Sequence, residues 1–144
     1  LLEPFKKAKE NFETFSDTMG AVNAVTNATA REFDALTQQA LLMGATTRFT
    51  AEQAAEGLKA LAKAGFTAQE QIATLPAVMR LAQAAATELA TAAQIATVVM
   101  NEFQMDPEQF IQASDAIALA ANRTLASVED LGFSFKYVGA LAAN

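Results

Sequence analysis

Apolar residues recur in steps of three and four from the start of the chain, at Phe5, Ala8, Phe12, Phe15, Met19 and Val22. That spacing keeps returning to one side of a 3.6-residue helix, and predicts an N-terminal amphipathic helix over residues 1–28 with a narrow apolar seam. The same seven-residue phase continues through Thr26, Thr29, Phe33, Leu36, Ala40 and Met43, which admits one helix of about forty residues. A break is preferred. Thr26-Asn27-Ala28-Thr29 puts polar residues on the seam, and Thr29 with Glu32 forms a reciprocal cap in which each side chain binds the other residue's backbone N–H. The second helix then runs from Ala30 to about Met43 and stops at Gly44, a residue suited to the left-handed conformation.

Residues 46–76 carry the same start signal twice, Thr50 with Gln53 and Thr67 with Glu70. Between them Leu58, Leu61 and Ala62 continue one apolar stripe to Ala64. Gly65 then ends the helix, and Phe66 is expected to fold back onto Leu61. The next helix begins at Ala68 and places Ile72, Leu75, Met79 and Ala82 on one face, with a kink or restart near Leu75 because Pro76 lacks an N–H and crowds the preceding turn. Thr87 is read as the cap before a pattern of Leu89, Ala92, Ala96, Val99 and Phe103, widened by Ile95 and ending near Gln104. Asp106-Pro107-Glu108-Gln109 combines an acidic cap, a proline in the first turn and a reciprocal Gln, ahead of Phe110, Ser114, Ile117 and Ala121. Ser127 opens the last helix, with Leu131, Phe135, Val138 and Leu141 along one side, and Gly132 and Gly139 permitting close helix approach.

No segment alternates with period two. The expected fold is all-α, an array of about six to seven short helices joined by tight capped turns, with a longer N-terminal helix and no strands. Residues 29–144 form the helical core of what is expected to be a single module. The starts recur about every twenty residues, but only the Phe-Thr-Ala start is copied, so compact helix length explains the rhythm better than a repeat code. The chain opens on Leu1 and closes inside a run that still reads as helix, which suggests an excerpt of a longer polypeptide.

Composition removes most chemistry. The 144 residues include no Cys and no His, so thiol nucleophiles, disulfides, the commonest general base and most zinc geometries are absent together. A net charge of -6 repels a phosphate backbone, and no basic cluster exceeds Lys6-Lys7-Lys9, so nucleic acid is not an expected ligand. Uncharged runs at 35–47 and 89–101 stop at about 13 residues, short of the ~20 that cross a bilayer. No signal peptide is recognisable.

The carboxylate pairs Glu52/Glu56 and Glu129/Asp130 stand at helix starts, where their ordinary work is to complement the helix dipole. Arg48, Arg80 and Arg123 are expected to be loop or surface partners of such acids. No glycine-rich phosphate loop occurs, and Ser134 has no histidine base. No catalytic, cofactor-binding or metal-ligating residue is assigned, and no enzyme is expected. Alanine-on-alanine packing buries little apolar area per residue, at ~25 cal/mol per Å², so modest stability is expected.

The run Thr47-Arg48-Phe49-Thr50-Ala51-Glu52, Ala54-Ala55, Gly57-Leu58 and Leu61-Ala62-Lys63-Ala64-Gly65-Phe66-Thr67-Ala68 resembles the core region of phage tail tape measure proteins. The likeness continues upstream in Val22-Asn23-Ala24-Val25-Thr26-Asn27-Ala28-Thr29. Downstream it includes Leu75-Pro76, Leu81-Ala82, Phe103, Asp115, Val128-Glu129-Asp130-Leu131 and Lys136-Tyr137-Val138-Gly139. It covers nearly the whole chain apart from roughly the first fifteen residues. Ala84-Ala85-Ala86 departs from it, standing where a glycine-containing turn is expected.

The resemblance implies a virion structural protein that runs in the tail tube lumen, scaffolds tube subunits, sets tail length and leaves ahead of the DNA. Its partners would be tail tube and tail-tip proteins, and its place before assembly the bacterial host cytoplasm, from a phage or prophage. As one straight helix the segment would exceed ~200 Å, whereas a compact domain of this size has a radius of gyration of ~15 Å. The expected resolution is a helical globule or open hairpin array that rearranges, or serves as an end piece, when packed. The alternative is an oligomeric helical adaptor that self-associates, coiled-coil fashion, through Phe5, Phe12, Phe15 and Met19. A membrane-perturbing helix is disfavoured by the acidic charge.

Overall fold

A computed structural model of the protein describes residues 2–124 and 126–142. Among them are seven α-helices and no strand: α1 Glu3–Thr26, α2 Ala30–Thr46, α3 Ala51–Lys63, α4 Ala68–Ala84, α5 Leu89–Glu102, α6 Pro107–Arg123 and α7 Val128–Ala142. By internal packing the chain divides into two compact units, Leu1–Ile72 and Ala73–Asn144, and the division falls inside α4.

The helix starts follow from local chemistry. Reciprocal caps form at Thr29/Glu32, Thr50/Gln53 and Asp106/Gln109. The same exchange joins Thr67 to Glu70 and Ser127 to Asp130. Each satisfies two N–H groups that a helix start leaves unpaired, an effect of ~1 kcal/mol. Thr87 departs from the expectation. The residue preceding α5 is Glu88, with no side-chain cap, and the Thr87 hydroxyl instead donates to Glu129 Oε1.

The helix ends are equally local. Gly65 has φ of 92°. Its N–H donates to Ala62 O at 2.9 Å and the Phe66 N–H to Leu61 O at 3.2 Å, a paired closure that brings Phe66 back over Leu61. The same pair of bonds recurs after α4, from Ala86 and Thr87, and after α5, from Gln104 and Met105. There the left-handed residues are Ala86 (φ 52°) and Gln104 (φ 51°). The expected glycine-type turn at residues 84–86 therefore exists, with alanine in the glycine's place.

Gly44 is not a helix stop. It lies inside α2, which ends where Thr47 becomes extended. A Cβ on Gly44 would meet Ala51 N at 2.5 Å, so the glycine is there because the start of α3 passes against it. Pro76 does not restart the helix either, since α4 runs continuously from Ala68 to Ala84 with the proline inside.

In the first unit α1 and α2 both pack on α3. Met19 and Val22, Leu36 and Ala40, and Leu58 and Leu61 are buried, each large side chain contributing ~1.5–3 kcal/mol. Thr18 donates to Glu56 Oε1 at 3.2 Å, fastening the C-terminal half of α1 to α3, and within α3 Lys59 Nζ lies 2.6 Å from Glu56 Oε2. In the second unit α5 packs on α6 and α7. Phe110 and Ile117 are buried with Leu89, Ala92, Ile95, Ala96 and Val99, while Ala121 is half-buried.

The buried face of α7 differs from the expected one. Val138 and Leu141 are exposed, whereas Val128, Gly132 and Gly139 are buried. Both glycines permit the close approach anticipated for them. A Cβ at Gly132 would sit 2.9 Å from Ile95 Cγ1, and one at Gly139 would sit 2.5 Å from Glu102 Cβ. Helix α7 thus turns its thinnest side to α5, and Phe135 closes the contact edge-on against Phe103, with ring centroids 6.0 Å apart.

Candidate functional site

Helix α1 has 24 residues and its partner α3 has 13, so at ~1.5 Å per residue α1 overhangs what it packs against. One seam therefore meets two environments. Met19 is 2% exposed and Val22 is buried, but Phe5 is 73% and Phe12 69% exposed. Phe15 stands half-buried at the transition. The four residues expected to mediate self-association are thus not one surface, and Met19 is excluded from it because it packs within the unit. Beside Phe12 and Phe15 a groove of about 300 Å³ is closed by Leu41, Ala51 and Glu52. A second apolar stripe runs along α7, where Phe133, Tyr137 and Leu141 are exposed at four-residue intervals.

The ionisable groups offer no reactive arrangement among the described residues. Every carboxyl with a displaced pKa is displaced downward, opposite to what a general acid needs. For Glu32 the causes are hydrogen bonds from the Thr29 N–H and hydroxyl, then from Gln69. For Glu129 the Thr87 hydroxyl is the largest cause, and for Asp130 it is the Ser127 hydroxyl. These carboxylates are structural acceptors. Glu56, the partner of Glu52 in the sequence, is held by Thr18 and Lys59. No group of three potential metal ligands occurs among the described residues.

The arginines do not pair with the acids as expected. Ion pairs among the described residues are Lys9–Glu13 and Lys59–Glu56, and the Arg48 guanidinium lies 5.0 Å over the Phe49 ring instead. The Ser134 hydroxyl donates to Asp130 O at 2.9 Å, an ordinary helical contact. Among the described residues no helix is long and apolar enough to cross a membrane. The described surface also carries apolar helix faces on α1 and α7, whose chemistry suits packing. The overhang of α1 was beyond sequence reasoning because a seam's period reports its own helix and not the length of its partner.

A family model described as phage-related minor tail protein matches residues 37–144. The chain is 33% identical over 128 residues to the tape measure protein of Pneumococcus phage Dp-1, an alignment covering 89% of this chain and 11% of that protein. The chain thus spans about a ninth of that relative's length. No solved structure matches it significantly. The matched residues contain the helix starts at Thr50 and Thr67 and the Gly65 closure between them. The chain belongs to the phage-related minor tail protein family.

Proposed function

We propose that the chain is one helical module of a longer tape measure protein, a scaffold for tail tube assembly that contributes to tail length. The observation that carries this reading is the 33% identity, across nearly the whole chain, to a protein named for that role. The surface agrees with it. Exposed apolar helix faces suit packing against tube and tail-tip proteins, and the structural carboxylates suit a non-enzymatic part. In this reading the module folds as described in the host cytoplasm, rearranges into the tube lumen during assembly, and leaves before the DNA.

The test is tail length by electron microscopy after in-frame deletion of residues 67–126 from the full gene. Tails that assemble and shorten by about 90 Å, the rise of sixty helical residues, support a measuring role. Tails of unchanged length reject it, and loss of tails assigns the segment to assembly or to a tail end instead of to measurement.

A second reading, an oligomeric adaptor, is favoured by the exposure of Phe5 and Phe12. It requires a concentration-independent trimer or hexamer in solution that falls to monomer with Phe5→Ala plus Phe12→Ala. A monomeric parent chain rejects it.

A further inference from the structure

Pro76 is unlike the other two prolines of the chain. Pro4 and Pro107 stand in the first turn of α1 and α6, where a missing N–H costs nothing. Pro76 stands mid-helix in α4, leaves the Ile72 carbonyl without its usual donor, and crowds it. Two residues earlier, Thr74 is completely buried and its hydroxyl has no hydrogen-bond partner. Elsewhere Thr14, Thr37 and Thr97 return theirs to the carbonyl four residues back, at 2.9, 2.8 and 2.9 Å. Thr74 does not.

Thr74-Leu75-Pro76-Ala77 has the chemistry of a helix start: a hydroxyl at the cap, a proline in the first turn, and an N–H three residues on. That spacing is the one used by the Thr29, Thr50 and Thr67 hydroxyls. The residues just before it are fastened to the first unit, because Gln71 Nε2 donates to Thr26 Oγ1 at 2.9 Å and to Phe66 O at 2.8 Å. The division between the compact units falls between Ile72 and Ala73.

We propose that α4 is a two-state element. Beside the continuous helix it populates a form broken at Ala73, in which Thr74 caps a helix restarting at Leu75 through the Ala77 N–H. The preceding turns stay bound to the first unit through Gln71. The proposal rests on the fold alone, and holds whether or not residues 67–126 contribute to tail length.

Native-state hydrogen exchange on the full chain tests it. In the continuous helix the Thr74 and Leu75 N–H groups bond to carbonyls four residues back, and the break releases both. Their exchange is expected to run at least tenfold faster than that of the buried α3 and α5 amides, and to be insensitive to low denaturant. Pro76→Ala restores the missing bond and slows it about a hundredfold. Thr74→Val removes the cap and slows it several-fold, whereas Thr74→Ser keeps the hydroxyl and exchanges at least as fast as the parent. Should Pro76→Ala alter the far-UV spectrum, the Thr74 pair decides. Exchange at Thr74 and Leu75 as slow as in α5, or fast exchange that Thr74→Val leaves unchanged, overturns the proposal.

Discussion

Among the described residues, left-handed residues end four of the helices, at Asn27, Gly65, Ala86 and Gln104, and glycine holds only one of these positions. An alanine there crowds its Cβ against the following carbonyl, at a cost of ~1–2 kcal/mol. Ala86→Gly is therefore expected to stabilise the protein by about 1 kcal/mol, read as a higher denaturant midpoint at unchanged slope. Gly44→Ala runs the other way. Its methyl would meet backbone rather than a flexible side chain, and a loss of about 1–3 kcal/mol is expected in the same experiment. Gly65 was legible in the sequence because a glycine behind an apolar stripe is a common stop. Gly44 carried the same letter for another reason, and residue type alone does not separate a glycine needed for its φ from one needed for its lack of volume.

At the scale of elements, helix starts were far more legible than helix faces. A reciprocal cap is complete within four residues, so Thr29, Thr50, Thr67, Asp106 and Ser127 stand where the sequence placed them. Thr87 failed because a partner from α7 won its hydroxyl, which no local pattern records. The face of α7 failed similarly, since the glycines that let α5 approach outweighed the larger Val138 and Leu141.

The Thr87–Glu129 bond has a pH signature. Because the bond lowers the Glu129 pKa in the folded state, its stabilisation is present above the ordinary value of 4.5 and is lost as pH falls through the folded one. Thr87→Val is expected to cost about 1 kcal/mol at pH 7. Its melting temperature should converge on the parent's as pH falls from the ordinary value of 4.5 through the lower folded one.

For the whole molecule, the seam of α1 divides stability from surface. Met19→Ala is expected to cost about 2–4 kcal/mol, as a buried side chain does. Phe5→Ala, on the same seam, is expected to shift stability by less than about 0.5 kcal/mol. Thermal unfolding of the two single variants checks both, and equal losses would mean that the overhang of α1 is covered in solution. The sequence supplied the seam's period, but its coverage depends on the lengths of α1 and α3 together, a tertiary quantity.

The five reciprocal caps have a consequence in time as well as in structure. Each is written in consecutive residues, so a chain emerging from denaturant need not search distant partners to learn where a helix begins. Helical chains as a class, rich in local contacts, fold in microseconds to milliseconds. The caps let this chain recover its helices quickly after any disturbance of their packing, since most of their boundaries are remembered locally.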